Sequence, residues 1–450
     1  MSVSTNLPPG TRAPRAVQML RFTRDEAAYL DELHARHGDV FRTHWERRPW
    51  YLLAHPDAIS QVFKAPPSVV HAGDANEILA NPLGKHSVLV LDGAEHLRQR
   101  RLLLPAFHGD KLRIQRETMR AVAEAQVERM PAGQPFSLRP HAQAIALAVI
   151  LEVVLGVGRS DQRHTALEEP LDEFLEWFAD TKHLFAALIL GPENAFVRRQ
   201  QGRISGPVDE QLYALIRERR GAGDLEERED VLSMLLLARD EDGEPMSDAE
   251  LRDELVTLIV AGHETTATAL AWAFERLTRD PASLRRLEDE SRTAEAEFAE
   301  AVGKEALRLR PVLMNVLRTL QEPLEVGSYV FPKGAVLAPS IYLVQRRPEL
   351  WGADAAEFRP GRFLEEDVPG YAWIPFGGGV RRCIGAAFAQ MEMEVVLRAI
   401  AGNVHLEPVG AEEKPVARFI TASPARGGEV RVGRRFAADR ASDELVAIAG

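Results

Sequence analysis

The amino-acid sequence predicts a mainly α-helical protein with a small β portion, an α+β fold. Apolar residues recur with helical spacing from residue 97 to about residue 279, broken by prolines, glycines and one charged loop at 221–230. Two short runs rich in β-formers, 40–45 and 50–54, flank a polar turn and predict a hairpin followed by a helix near Pro56. Other strand-like runs lie at 326–331, 335–337 and 429–432.

One predicted helix is unusually long. Ser247 and Glu250 form the S-x-x-E pattern of a capping box, and apolar spacing then continues to Thr278. About 31 residues at 1.5 Å each give roughly 46 Å, enough to cross a whole domain. The middle of this segment, LIVAGHETTATALAWAF, is apolar nearly all round, so we expect the helix to be buried.

Composition limits the classes of function. The chain has 450 residues, 45% of them hydrophobic and 27% charged, which is typical of a folded globular protein. A net charge of −12 gives no overall attraction to phosphate backbones, so we expect no nucleic acid partner. The amino terminus lacks the apolar run of a signal peptide, and the most apolar stretch, 144–157, is interrupted by Glu152. We therefore expect a cytoplasmic protein without a membrane anchor.

Cys383 is the single cysteine and follows a glycine-rich loop, PFGGGVRRCIG, that leads directly into a predicted helix. Unpaired N–H groups at a helix start favour thiolate over thiol, and thiolates bind iron. Glycines in the loop let the backbone approach a flat cofactor, and Gly385 leaves room for a ring. A lone cysteine is more often a small buried hydrophobe, but the residues around Cys383 argue against that interpretation.

The segment FGGGVRRCIG resembles the haem-binding signature F-x-x-G-x-R-x-C-x-G of the cytochrome P450 family, and the resemblance extends over nearly the whole chain. It implies that Cys383 is the axial ligand of a haem b iron and that Phe376, Gly377 and Gly385 belong to the cofactor loop. It also implies a triangular fold with the long helix crossing the haem. A single domain at 1–437 and a tail at 438–450 are expected.

The long helix carries a second match, because AGHETT resembles the oxygen-activating segment A-G-x-[D/E]-T of the family. The resemblance places Ala261 beside the haem and gives Glu264 and Thr265 catalytic roles in proton delivery. Gly262 costs about 1 kcal/mol against alanine in a helix interior. A threonine hydroxyl that bonds the carbonyl four residues back is expected to loosen the helix here, and Glu264 needs a partner or water if it is buried.

Haem carries two propionates that need cations. His96 and Arg100 resemble the H-x-x-x-R of the family, and Arg318 and Arg381 fall where the family has further propionate ligands. Arginine suits carboxylates because its planar fork can bind them in a bidentate manner.

A structural motif of the family is also present. Glu305 and Arg308 resemble its E-x-x-R pair, with Arg362 as the third member. Gly361 stands where the family usually has glutamate, which puts only a peripheral contact in doubt.

The resemblance implies a monooxygenase that acts on an apolar organic substrate: a fatty acid, terpenoid, steroid or macrocyclic natural product. Electrons are expected from a separate ferredoxin or flavodoxin with its NAD(P)H-dependent reductase, docked on a basic patch, and the protein is expected to be monomeric. The patch is predicted to comprise Arg98, Arg101, Lys111, Arg113 and Arg382.

Two alternatives stay open at this point: a peroxygenase that uses hydrogen peroxide and a non-catalytic haem-based gas sensor. The substrate pocket is expected to be lined by residues 78–89, 174–196, 256–265, 312–316 and 419–421.

Overall fold

The computed structural model describes residues 6–45, 48–107, 110–180, 182–183, 191, 194–365 and 367–436, with the side chains of residues 110–113 outside that description. The predicted tail at 438–450 lies outside the described residues. The predicted mainly α-helical architecture with a small β portion is confirmed. In chain order the α-helices are α1 (Arg15–Arg24), α2 (Glu26–His37), α3 (Pro56–Lys64), α4 (Ala80–Leu83), α5 (Gly93–Leu103), α6 (Asp110–Glu128), α7 (Leu138–Val149), α8 (Arg163–Ala179), α9 (Ala195–Arg220), α10 (Val231–Leu237), α11 (Asp248–Leu277), α12 (Pro281–Glu290), α13 (Glu297–Leu309), α14 (Ile341–Val344), α15 (Pro348–Trp351), α16 (Arg362–Glu365) and α17 (Ala386–Asn403).

The described strands are β1 (Val40–Thr43), β2 (Trp50–Leu53), β3 (Val70–His71), β4 (Pro135–Ser137), β5 (Arg318–Leu320), β6 (Leu324–Val326), β7 (Tyr329–Phe331), β8 (Val336–Pro339), β9 (Val404–Pro408), β10 (Pro415–Arg418), β11 (Thr421–Pro424) and β12 (Glu429–Arg435). They form four small sheets. The largest has the order β1-β2-β8-β5-β3, with β2 and β8 parallel and the other neighbours antiparallel; the others are β4-β12-β9, β6-β7 and β10-β11.

The predicted hairpin of β1 and β2 is confirmed, with Val40 opposite Leu53, and α3 begins at Pro56 as predicted. The run 326–331 was predicted as one strand, which is wrong. It spans the turn of the β6-β7 hairpin, because Gly327 adopts φ +60° and reverses the chain.

Helix α11 is the predicted long helix. Ser247 Oγ accepts the Glu250 N–H at 3.2 Å, and the Glu250 carboxylate accepts the Ser247 N–H at 2.8 Å, which confirms the capping box. The 30 residues of α11 span about 45 Å. It packs against α7, α9, α13 and α17, and Trp272 and Phe274 near its end are fully buried.

The apolar stretch 144–157, predicted as a buried helix, is helical up to Val154 and mostly buried. It comprises the end of α7 and one π-helical turn, Ile150–Val154. Glu152, which interrupts the apolar run, lies within 3.5 Å of Arg159, and burial raises the pKa of its carboxyl group. Among the described residues, we find no helix whose length and apolar character would let it cross a membrane.

Glu305, Arg308 and Arg362 meet at the centre of the protein, each at most 1% exposed. The Glu305 carboxylate accepts two hydrogen bonds from Arg308, at 2.6 and 2.8 Å, and one from Arg362 Nε at 3.2 Å. The remaining N–H groups of Arg308 donate to backbone carbonyls of Gln345, Ala355 and Glu357. We call these three residues the central triad.

Candidate cofactor site

The loop around Cys383 is closed by its own backbone. The Cys383 N–H donates to the Phe376 carbonyl at 3.0 Å, and a 3-10 turn, Gly379–Arg381, lies between them. Gly377 and Gly379 both have φ +66°, a conformation that L side chains rarely adopt. Helix α17 then begins at Ala386. The sequence therefore fixes this loop with glycine at two positions where other residues would be strained.

The loop glycines do not all have the predicted purpose. A Cβ on Gly378 would lie 2.3 Å from the Phe63 ring, and one on Gly379 would lie 2.1 Å from the Phe63 carbonyl oxygen. These two glycines therefore allow α3 to pack against the loop, a role that the sequence did not predict. A Cβ on Gly385 would meet nothing within 4 Å, which agrees with the predicted room beside the helix start.

The thiol of Cys383 is subject to opposing effects. Burial raises its pKa most, while a hydrogen bond from the Gly385 N–H and the charges of Arg100 and Arg382 act in the opposite direction. The helix-start argument alone was therefore incomplete, because the protein atoms around the exposed Cys383 act on the pKa of its thiol in the opposite direction. A bound metal ion would favour the thiolate directly.

The four predicted propionate ligands, His96, Arg100, Arg318 and Arg381, converge. His96 is 1% exposed, and its pKa is lowered to about 3, first by burial and then by the charges of Arg381, Arg100 and Arg318. Its Nδ1 has no hydrogen-bond partner among the described residues. We call these four residues the cation cluster.

The positive charge of the arginines in the cation cluster is only partly balanced by nearby negative charge. Burial lowers the pKa of Arg318 to about 10, and its guanidinium donates to the Leu317 carbonyl at 2.8 Å and lies over the Phe63 ring. Burial also lowers the pKa of Arg381 and of Arg100. Arg381 is paired with Asp92, the carboxylate that moderates its charge and that of Arg318.

This excess of buried positive charge is a test of whether haem fits. Three guanidinium groups surround a neutral imidazole with a free ring nitrogen, and Asp92 is the carboxylate next to them. The two propionates of haem would supply the missing negative charge. Together with a cysteine that is in no disulfide and open space at Gly385, the residues present fit the cofactor.

The predicted oxygen-activating segment lies on α11. Thr265 Oγ donates to the Ala261 carbonyl at 2.6 Å, the predicted bond to the residue four positions back. The expected loosening of the helix is absent, since α11 remains α-helical through residues 261–266. The irregular turn is instead in the facing helix, where Ile150 lies 3.5 Å from the place of a Cβ on Gly262.

Glu264 has partners, as the cost of its burial required. Its carboxylate accepts hydrogen bonds from Arg139 at 3.2 Å and Gln143 at 2.9 Å, both on α7, and lies 3.9 Å from Arg418. The side chain is 14% exposed. The neighbouring His263 is buried, which lowers its pKa to about 4. The contacts with Arg139 and Gln143 hold the Glu264 side chain against α7, one residue before Thr265.

Sequence reasoning missed a buried acid on α17. Glu392 is 3% exposed, accepts a hydrogen bond from Thr266 Oγ at 3.4 Å, and burial raises its pKa to about 8. Glu392 lies on α17, nine residues after Cys383, and Thr266 lies on α11, next to Thr265. The hydrogen bond between them therefore joins these two helices. The segment MEMEVV resembles a solvated helix face in sequence, so only the odd placement of a glutamate among apolar residues could have indicated burial.

A second missed acid, Glu254, holds the loop that precedes α5. Its carboxylate accepts the Val88 N–H at 2.9 Å, and the Val88 carbonyl accepts from Arg381 at 3.0 Å. Glu254 is fully buried, and desolvation raises its pKa well above the usual range. The peptide groups on the two sides of Val88 thus join α11 to the cysteine loop. The adjacent Asp253 binds the same loop through the backbone and ring nitrogens of His86.

Two of the predicted pocket segments meet. The Phe419 ring lies 4.4 Å from the Phe178 ring, centroid to centroid, and Phe178 lies 6.2 Å from Phe174. Phe419 has φ +52° at the tip of the β10-β11 hairpin, a strained conformation for a non-glycine residue. Part of the predicted segment 174–196 lies outside the described residues.

The predicted basic patch is wrong for two of its members. Arg98 is bound to Asp240 and Glu250, both at 2.6 Å, and Arg101 is paired with Glu241. The acidic loop before α11 folds back over α5 and neutralises both arginines. The side chains of Lys111 and Arg113 lie outside the description, while Arg382 is exposed.

Comparisons with known proteins agree with this geometry. A family model described as "Cytochrome P450" matches residues 7–426. The chain is 38% identical over 443 residues to "Putative cytochrome P450 135B1" of Mycobacterium tuberculosis, covering 95% of this chain and 92% of that protein. It is 36% identical to "Putative cytochrome P450 135A1" of the same organism, covering 96% of each. The solved structure "Retinoic acid bound cyanobacterial CYP120A1" has the same fold, with a TM-score of 0.83 at 22% identity over 96% of this chain and 100% of that one.

Proposed function

Because the chain belongs to the cytochrome P450 family, we propose that it is a haem-thiolate monooxygenase that inserts one oxygen atom from O2 into an apolar organic substrate. The observation that carries this proposal is the cation cluster beside a loop with one free cysteine, Cys383. When bound, haem b would supply the oxygen-activating iron chemistry, and the Cys383 thiolate would hold its iron. His96, Arg100, Arg318 and Arg381 would hold the propionates.

Thr265 is suited to hold a water molecule. Its hydroxyl hydrogen is directed to the Ala261 carbonyl at 2.6 Å, so the lone pairs of its oxygen are left to accept a hydrogen bond. A water held in this way presents its second hydrogen to the reaction site. We assign Thr265 the role of orienting a proton donor.

Glu264 is suited to carry protons towards that water, but only after a change of partners. In the structure its carboxylate is held by Arg139 and Gln143. Arg418, 41% exposed and 3.9 Å away, offers an alternative cation nearer to solvent. Exchange between Arg139 and Arg418 would move the carboxylate, and general acid–base groups of this kind contribute roughly 10² to 10⁴ in rate.

We propose an apolar, lipid-like substrate among the classes named above. The aromatic wall of Phe178 and Phe419 offers apolar surface, and the structurally similar CYP120A1 was solved with retinoic acid bound. Hydroxylation or epoxidation would then depend on which carbon the pocket presents. Titrating lipid-like compounds into the haem-loaded protein and following the Soret band would identify ligands that displace the sixth ligand of the iron.

Electrons are proposed to come from a ferredoxin or flavodoxin and its NAD(P)H-dependent reductase. Arg382, exposed beside Cys383, is the member of the predicted patch that is described and has no acidic partner among the described residues. The retained Glu264 and Thr265 favour O2 over hydrogen peroxide as oxidant. Turnover with peroxide alone, at a rate matching that with redox partners and O2, would support the peroxygenase alternative instead.

The first experiment tests the ligand. The purified protein should contain one haem b and, when reduced under carbon monoxide, show the red-shifted Soret band of a thiolate-bound iron. Cys383→Ala should lose that band. Cys383→Ser, with far-ultraviolet circular dichroism as a control for folding, guards against simple misfolding. A wild-type protein without haem, or a band that is the same in both variants, would overturn the assignment.

The second experiment tests proton delivery. Thr265→Val preserves shape but removes the hydroxyl, so haem and ligand binding should survive while product formed per NAD(P)H falls and hydrogen peroxide or excess water rises. Glu264→Gln should slow turnover while keeping the contacts to α7. An unchanged ratio of product to reductant in both variants would mean that protons arrive by another route.

A further inference from the structure

Helix α1 lies on the protein surface and is attached by one narrow edge. Gln18, 2% exposed, donates to the Ala13 carbonyl at 2.7 Å and accepts from the His44 N–H at 2.7 Å and Thr43 Oγ at 2.9 Å. Phe22 stacks on Trp45 with ring centroids 4.2 Å apart. These two side chains fix the orientation of the helix and leave its other faces outward.

The outward face carries large apolar side chains. Val17 is 44% exposed, Met19 is 41% exposed and Leu20 is 66% exposed. Val17 and Leu20 are three positions apart and therefore neighbours on the helix surface. Exposed apolar residues are ordinary one at a time, but three on a ten-residue helix form a patch that calls for an explanation.

The same segment is strongly basic in an acidic protein. Arginines stand at 12, 15, 21 and 24, and no acidic residue precedes Asp25, although the whole chain has a net charge of −12. Arg21 is paired with Glu32, and Arg15 donates to the Trp45 carbonyl. Arg12 and Arg24 are exposed and have no carboxylate partner within the described part of the chain.

We propose that α1 binds the surface of an anionic lipid bilayer, with Leu20 in the headgroup region and Arg12 and Arg24 beside the lipid phosphates. A short helix with apolar side chains flanked by arginines matches the chemistry of an interfacial helix, which lies on a membrane and does not cross it. Charge complementarity selects this occupant. A second copy of the chain would place like-charged arginines opposite one another.

Binding is measured with the full-length, haem-loaded protein by co-sedimentation with vesicles. Vesicles of phosphatidylglycerol and phosphatidylcholine are compared with phosphatidylcholine alone, at about 0.01 M and about 1 M salt, where the Debye length falls from roughly 30 Å to 3 Å. The protein should sediment with the anionic vesicles at low salt, and both neutral lipid and high salt should release it.

Two variants and two matched controls assign the binding to α1. Arg12→Gln with Arg24→Gln should weaken partitioning about 25-fold, since each arginine near an anionic surface contributes a factor of about five. Leu20→Gln should weaken it severalfold. The controls change exposed groups elsewhere: Arg217→Gln with Arg285→Gln, and Val416→Gln, which is 41% exposed on β10. Haem content and melting temperature should be the same in all variants.

Three outcomes would overturn the proposal. These are no binding to anionic vesicles, equal binding to neutral ones, or controls that lose as much as the α1 variants. A concentration-dependent dimer that Leu20→Gln disrupts would assign the face to a second copy of the chain and would equally exclude the lipid surface as its occupant.

Discussion

The central triad and the cation cluster both bury charge, but only one of them is balanced. In the triad, every N–H of Arg308 reaches either Glu305 or a backbone carbonyl, and Arg362 completes the set. In the cation cluster, Asp92 is the carboxylate beside Arg381 and Arg318, and His96 keeps a ring nitrogen without a partner among the described residues.

This difference indicates that buried charge has a different role in the central triad and in the cation cluster. In a closed ion network every buried charge has a partner. Removing one member destabilises the fold because it leaves another charge buried and unpaired. An open network costs stability until a ligand supplies the opposite charge, and such sites are typical of functional centres. The following predictions test that contrast, from the largest expected effect to the smallest.

Breaking the closed network should cost the most. Arg308→Ala leaves Glu305 without its main partner, and we expect a loss of about 3–5 kcal/mol in the free energy of unfolding. Guanidinium unfolding of the haem-free protein measures it, with the exposed Arg285→Ala as control. A loss below about 1 kcal/mol would contradict the role assigned to the triad.

Removing one charge from the cation cluster should stabilise the haem-free protein but weaken the retention of haem by the loaded protein. Arg318→Met removes a buried charge at nearly constant length, so the haem-free protein should gain about 1–3 kcal/mol. The haem-loaded protein should instead lose its cofactor faster to an excess of a haem-scavenging protein. Equal destabilisation of both forms would show that Arg318 is a structural residue like Arg308.

His96 should make the haem-free protein sensitive to acid. Its pKa is about 3 in the folded protein but about 6.5 when unfolded, so only the unfolded state takes up the proton between those values. Stability is therefore lost as the pH falls below 6.5, by about 2 kcal/mol between pH 7 and pH 5. His96→Gln should lose this slope relative to wild type. His263, which also titrates low, is present in both proteins and cancels in the comparison.

Glu392 should show the reverse dependence. Its pKa is about 8 in the folded protein and about 4.5 when unfolded, so the folded state keeps its proton longer and stability falls as the pH rises through this window. Between pH 6 and pH 7 the wild type should lose about 1 kcal/mol that Glu392→Gln does not. Denaturant titrations at the two pH values measure the difference, and parallel slopes would show that the carboxyl group ionises normally.

The features that the sequence predicted well are those whose partners lie close along the chain or in a fixed motif. The capping box of α11 needs only Ser247 and Glu250, and the cysteine loop needs ten consecutive residues. The features that it missed depend on partners far away. Arg98 binds carboxylates 142 and 152 positions later. Nothing near Arg98 in the sequence distinguishes it from a free surface cation.

The same limit explains the cofactor loop. Its glycines were predicted to let a cofactor approach closely, but the group beside Gly378 is Phe63, more than 300 residues earlier in the chain. Glu392 and Glu254 were missed because their burial depends on how α17 and α11 pack. Spacing identifies the face of a helix, whereas the identity of the neighbour on that face is a property of the fold.

Val88 lies between two hydrogen bonds that face in opposite directions, to Glu254 on α11 and to Arg381 beside the cysteine. Each bond is made by a rigid, planar amide group, and rotation about this one residue moves both groups. The loop before α5 is therefore held from both sides at one residue. Substitution of either Glu254 or Arg381, although they lie on different elements, should speed hydrogen exchange in the same stretch of backbone.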